Sequence, residues 1–121
     1  MSITTNPSSA RPAAARPAGL AVSGRDLRCL LTLALQHHGP LTVARLVEVV
    51  EQQGFAIAGR PSKAVSDALR WEIGRGRVVR LGRGRYAPSS IPGTTFRRIL
   101  RRAAQLQTER LGSTARLDGR R

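Results

Sequence analysis

The chain of 121 residues has a single cysteine, Cys29, so it can form neither an intramolecular disulfide nor a cysteine-based zinc site. Aromatic residues are scarce, at 3%. Lysine is almost absent: Lys63 stands alone and every other basic residue is arginine. Long apolar runs are missing too. The longest helical one, Cys29 to Leu35, falls far short of the ~20 residues needed to cross a bilayer. The N-terminus lacks the apolar core of a secretory signal. Acids are the most telling shortage, with 7 Asp and Glu against 21 Lys and Arg, a net charge of +14. GC-rich codons account for arginine in place of lysine, but not for so few acids. A chain this basic repels itself and calls for a polyanion or an acidic surface.

What is present is enough for one small domain, with 40% apolar residues. Residues 1–22 read as a disordered tail rich in proline and alanine, too poor in apolar surface to offset chain entropy. Its acid-free, Ser- and Arg-containing start is also the composition of a transit peptide, but a solvated linker is the reading taken. A first helix is predicted over about 23–38. Ser23 is its N-cap, Asp26 favours its positive end, and Leu27, Leu30, Leu31, Ala34 and Leu35 form its apolar stripe. Gly39-Pro40 stops it.

A second helix follows Thr42, with Val43, Leu46, Val47 and Val50 inward and Gly54 as its stop. The third runs over about 62–73, with Pro61 or Ser62 at its start. Val65, Ala68, Leu69 and Ile73 converge on one side, and Lys63, Asp67 and Arg70 on the other. Residues 77–81 and 85–87 read as two strands, with Val79 and Leu81 on one face and Arg80 on the opposite one. The turn Leu81-Gly-Arg-Gly84 suits a type II′ hairpin with Gly82 at its first central position. A fourth, amphipathic helix is predicted from Thr94 or Thr95 to Leu111, and residues 112–121 as a flexible basic tail. The apolar side of that helix carries Phe96, Ile99, Leu100, Ala103 and Leu106; its basic face carries Arg97, Arg98, Arg101 and Arg102.

The charge is not spread evenly. Residues 23–59 are neutral, whereas residues 60–102 carry twelve bases against Asp67 and Glu72, a net of +10. Codon bias alone would not segregate arginine in this way. The bland reading is a basic surface that keeps the chain soluble; the polarity favours a footprint for phosphate.

The order of three helices and a hairpin resembles a winged helix-turn-helix domain over about 24–88. The resemblance is carried by Gly39-Pro-Leu-Thr-Val-Ala-Arg-Leu46, Pro61-Ser-Lys-Ala-Val-Ser-Asp-Ala-Leu69 and Gly76-Arg-Val-Val-Arg-Leu-Gly-Arg-Gly-Arg-Tyr86. Pro61-Ser-Lys-Ala-Val-Ser66 with Gly84-Arg-Tyr86 is also similar to HARE-type winged helices, some relatives of which bind proteins. The expected fold is therefore mainly α with a small β-hairpin: a winged-helix domain over 23–91 with an extra C-terminal helix over 92–111. Gly59-Arg-Pro61 makes a longer joint between the second and third helices than a tight helix-turn-helix has.

The resemblance implies a third helix in the major groove, with Ser62, Lys63, Ser66, Asp67 and Arg70 as contacts. Arg77, Arg80, Arg83 and Arg85 belong to the wing, on the minor groove or on phosphates. Arg60, Arg97, Arg98, Arg101 and Arg102 add phosphate contacts. Asp67 can accept from a cytosine amino group; an ion pair with Lys63 and Arg70, four and three residues away respectively, is the favoured alternative. Trp71 either stacks on a base or packs against the wing or fourth helix, the latter being favoured, and Tyr86 reads as a core edge. The fourth helix either dimerises through Phe96, Ile99, Leu100 and Ala103 or folds back on its own domain.

Enzymatic chemistry finds little footing. His37 and His38 point about 100° apart on a helix and cannot easily share a metal. The acids are not paired, and Gly82-Arg-Gly84 is no phosphate loop. Cys29 reads as a small structural residue. The expectation is a non-enzymatic DNA-binding protein, a transcriptional regulator or a nucleoid-associated one in the cytoplasm. It has no cofactor, no metal, no membrane contact and no evident small-molecule ligand; double-stranded DNA is its partner, with a homodimer through the fourth helix as one arrangement. The alternatives are a module for an acidic protein of the transcription machinery and an RNA- or ribosome-associated factor.

Overall fold

The computed structural model describes residues 19–118, with side chains described as far as Gly112. Most of the expected N-terminal tail, with Arg11 and Arg16, lies outside the described residues, as do 119–121. In chain order the elements are β1 (Leu20–Val22), α1 (Gly24–His38), β2 (Leu41–Thr42), α2 (Val43–Gln52), β3 (Phe55–Ile57), α3 (Pro61–Gly74), β4 (Val78–Gly82), β5 (Arg85–Pro88) and α4 (Gly93–Asp118).

The helices form where the apolar period is helical, and their starts are local. Ser23 holds an extended backbone before α1 but makes no side-chain cap, while the Thr42 hydroxyl accepts from the Arg45 backbone N–H at the start of α2. Pro61 takes the first turn of α3, where its missing N–H costs nothing, and Arg60 occupies the N-cap position. One core gathers Leu27, Leu31 and Leu35 of α1, Leu46 and Val50 of α2, and Val65 and Leu69 of α3. Each such buried side chain contributes about 2 kcal/mol of transfer free energy.

Several expectations need correction. The tail does not reach residue 22: Leu20–Val22 forms β1, which pairs in parallel with β3, Val22 opposite Ile57. This brings Val22, Phe55 and Ile57 into the core and turns the joint between α2 and α3 into a structured element. On α2, Val49 is buried, and Val43 and Val47 are only half-buried. On α3, Ile73 is exposed, and the buried position beside it belongs to Glu72.

The hairpin is wider than two strands. β2 pairs antiparallel with β5, Leu41 opposite Tyr86, giving a three-stranded sheet in the order β2-β5-β4. Only Val78 anchors β4 in the core; Val79 is 45% and Leu81 52% exposed, so beyond Val78 β4 runs along the surface, while β5 keeps Tyr86 and Ala87 buried. Its register shifts between Arg80 and Gly82, a bulge that lets Gly82 pair with Arg85. The positive φ of the turn, 68°, falls on Gly84 and not on Gly82, which overturns the type II′ assignment.

α4 continues past Gly112 to Asp118, beyond the expected end at Leu111. Its apolar side folds back on α1 and β1, burying Ile99 and Leu106 and leaving Leu100 exposed.

Candidate functional site

Two basic regions stand out. The first is the outer face of α3 with the hairpin. Ser62, Lys63, Asp67 and Arg70 are exposed, and Ser66 is half-buried. Asp67 binds both cations of its own helix, with Lys63 Nζ 2.8 Å and Arg70 Nη1 3.2 Å away. The hydrogen bond from Lys63 is the main reason its carboxyl sits below the usual carboxylate range. The favoured ion-pair reading of Asp67 is thus realised. On the hairpin, Arg80, Arg83 and Arg85 are exposed, and Arg80 donates to the Gly82 carbonyl across the bulge at 3.2 Å. Gly84 accepts a backbone hydrogen bond from Val43 N–H, which ties the turn to the start of α2.

Arg77 does not join that surface. It is half-buried, and its Nη1 lies 3.3 Å from Glu72 Oε2. Glu72 is only 1% exposed. Its carboxylate also accepts from the Thr32 hydroxyl at 2.8 Å and lies 3.6 Å from Arg28 Nε. Arg102 is likewise committed. Its Nε and Nη2 reach the two oxygens of Asp26 at 2.9 and 3.0 Å, a two-point fork that joins α4 to α1. That fork pulls the Asp26 carboxyl down and raises the Arg102 guanidinium further. Of the arginines expected to assist from α4, Arg97, Arg98 and Arg101 remain exposed, as does Arg60 ahead of α3.

The second region is an open cleft of about 370 Å³ lined by α1, α3, the segment that follows α3, and α4. Trp71 lies at its edge, 50% exposed. Arg28 stands over its ring at 4.5 Å and Arg75 at 5.5 Å. The ring therefore carries guanidiniums of α1 and of the end of α3, in a cleft whose far wall is the fourth helix, one of the two neighbours expected from the sequence. Cys29 also lines the cleft, and burial pushes its thiol up, which suits an inert side chain. The sequence reading missed this cleft, because Arg25 and Arg28 belong to a segment whose charges cancel. Spacing held the only signal: Arg25, Arg28 and Cys29 share one face of α1.

His37 and His38 meet edge to face, their rings 4.8 Å apart. Among the described residues there is no group of three or more His, Cys, Asp or Glu able to hold a metal, and no helix long and apolar enough to cross a membrane. No family model, no curated protein and no solved structure matches this chain.

Proposed function

We propose that this chain binds duplex DNA through the outer face of α3 and the hairpin β4–β5, as a winged-helix protein. The observation that carries this reading is a hairpin whose outer strand β4 leaves the core after Val78 and which presents Arg80, Arg83 and Arg85 to solvent. It stands in a stretch of net charge +10. The three-stranded sheet β2-β5-β4 beside three helices is compatible with a winged-helix arrangement. An exposed arginine on a hairpin can clamp a phosphate or enter a narrow minor groove.

The state of α3 favours phosphate-led binding of low sequence specificity. Lys63 and Arg70, its two long cationic side chains, are both engaged by Asp67, so direct base readout would first have to break those pairs. This suits an architectural, nucleoid-associated protein better than a regulator with one strict operator.

The test is an anisotropy titration of the protein on a random-sequence duplex at rising salt. With about six phosphate contacts, log K against log salt should fall with a slope of about −5. A flat response overturns the reading. Competition with structured RNA at fixed salt, and capture of one acidic protein alongside weak duplex binding, decide against DNA if either partner wins.

A further inference from the structure

The cleft between α1, α3 and α4 has a design that the duplex-binding face does not need. Seven of its lining residues are arginines. Three of them are fixed from behind: Arg28 and Arg77 by Glu72, and Arg102 by Asp26 and Glu109. The other four, Arg25, Arg75, Arg98 and Arg101, make no ion pair among the described residues. Seven guanidiniums against the carboxylates of Glu72, Asp26 and Glu109 leave a surplus of four positive charges around one small space.

These four arginines are exposed, so water and salt screen part of their mutual repulsion, and an anion that bridges them relieves the rest. The buried Glu72 spans α3, α1 and the segment before β4, so the guanidiniums it holds are positioned before any ligand arrives. The space is concave and of the size of small-ligand sites, whereas a duplex backbone is convex and rides over a surface. Guanidinium forks match phosphate oxygens two at a time. A triphosphate chain carries roughly four negative charges near neutral pH, since its terminal group is almost doubly ionised.

We propose that the arginine-lined cleft between α1, α3 and α4 binds a polyphosphate anion, either the triphosphate of a nucleotide or an inorganic chain. The four unpaired arginines close on the phosphate oxygens, and the three anchored ones keep the walls in place. This goes beyond the duplex-binding reading and does not depend on it.

Trp71, the only tryptophan of the chain, reports on the cleft by its fluorescence. The full chain is titrated in 0.15 M salt with sodium triphosphate, with ATP, and with sulfate at matched ionic strength. A saturable 1:1 response to triphosphate, at least about tenfold tighter than to sulfate, is expected. The double variant Arg98→Ala/Arg101→Ala removes two exposed side chains outside the core and should weaken binding by about tenfold or more. The charge-matched Arg83→Ala/Arg85→Ala variant should bind triphosphate as the unaltered chain does, though it loses duplex affinity. If ATP binds more tightly than triphosphate, the ligand is a nucleotide; if less tightly, an inorganic chain. A response that never saturates, or equal losses in both double variants, reduces the effect to general charge attraction and overturns the proposal. It is equally overturned if the Arg98/Arg101 variant loses duplex binding and a duplex displaces triphosphate, because the cleft is then part of the DNA path.

Discussion

The Thr32 hydroxyl donates to the Glu72 carboxylate over 2.8 Å, linking the middle of α1 to the last turns of α3 inside the molecule. Glu72 thus holds a hydroxyl from one helix and guanidiniums from two further points of the chain. A buried carboxylate is tolerated only when its oxygens are satisfied in this way. Replacing it by glutamine keeps the shape and removes the charge that Arg28 and Arg77 face. Glu72→Gln should cost about 2 kcal/mol, the range of hydrogen bonds to charged groups, and Thr32→Val about 1 kcal/mol. Urea unfolding would read both as lower midpoints at unchanged slope. The double variant should cost less than the two single ones added together, because glutamine leaves the Thr32 hydroxyl only a neutral, weaker acceptor, so less is lost when that hydroxyl goes.

The fork from Arg102 to Asp26 gives stability a dependence on acid. The folded carboxyl of Asp26 is depressed, mainly by the hydrogen bond from Arg102. Its contribution is therefore complete above the unfolded value of about 3.9 and is lost as pH falls through the lower folded value. The unaltered chain should exceed Asp26→Asn by about 1 kcal/mol at every pH from 5 to 8. The gap should narrow below about pH 4. Denaturation curves for the two chains across that range check it. A gap that stays constant to pH 2 would refute the assignment.

Helical order was legible because each of the first three helices repeats its apolar residues over several turns, and Leu27 to Leu35 or Val65 to Leu69 leave no other reading. The pairing of β1 with β3 was not. Three residues give no alternation to detect, and Leu20 meets Phe55 only because the chain returns to it after two helices. Glu72 was illegible for another reason: a carboxylate at a core position reads as surface until its three partners are known. The same holds for the arginine cleft, which no single segment announces. Asp67 was legible, since its partners stand three and four residues away on one helix.

The hairpin turn makes a claim about two glycines. Gly84 has a φ of 68°, a left-handed conformation that a side chain resists, while Gly82 does not lie in that region. Neither would bring an added methyl within 4 Å of another atom. Steric room is therefore equal, and backbone strain alone separates the two sites. Gly84→Ala should cost about 1 kcal/mol, and Gly82→Ala nearly nothing. Thermal melts would show the difference, and duplex affinity should fall in the Gly84 variant if the hairpin's shape matters for binding.

Asp67 governs how much charge α3 offers. With its carboxylate removed, Lys63 and Arg70 are released to solvent and the local charge rises by one. Losing two helical ion pairs on an exposed, solvent-screened face should cost little stability. Under the duplex-binding reading, Asp67→Asn should raise affinity for random duplex by about three- to tenfold at low salt and steepen the salt slope. Arg83→Ala should act in the opposite sense and reduce that slope by about 1. If Arg83 only clamps phosphate, the loss should be equal on all sequences; if it reads groove width, A·T-rich duplexes should suffer most. Anisotropy titrations on the two variants, with A·T-rich and mixed duplexes, separate these outcomes. An Asp67→Asn chain that binds as the unaltered one does would mean that α3 does not lie against phosphate, leaving the hairpin to carry the interaction alone.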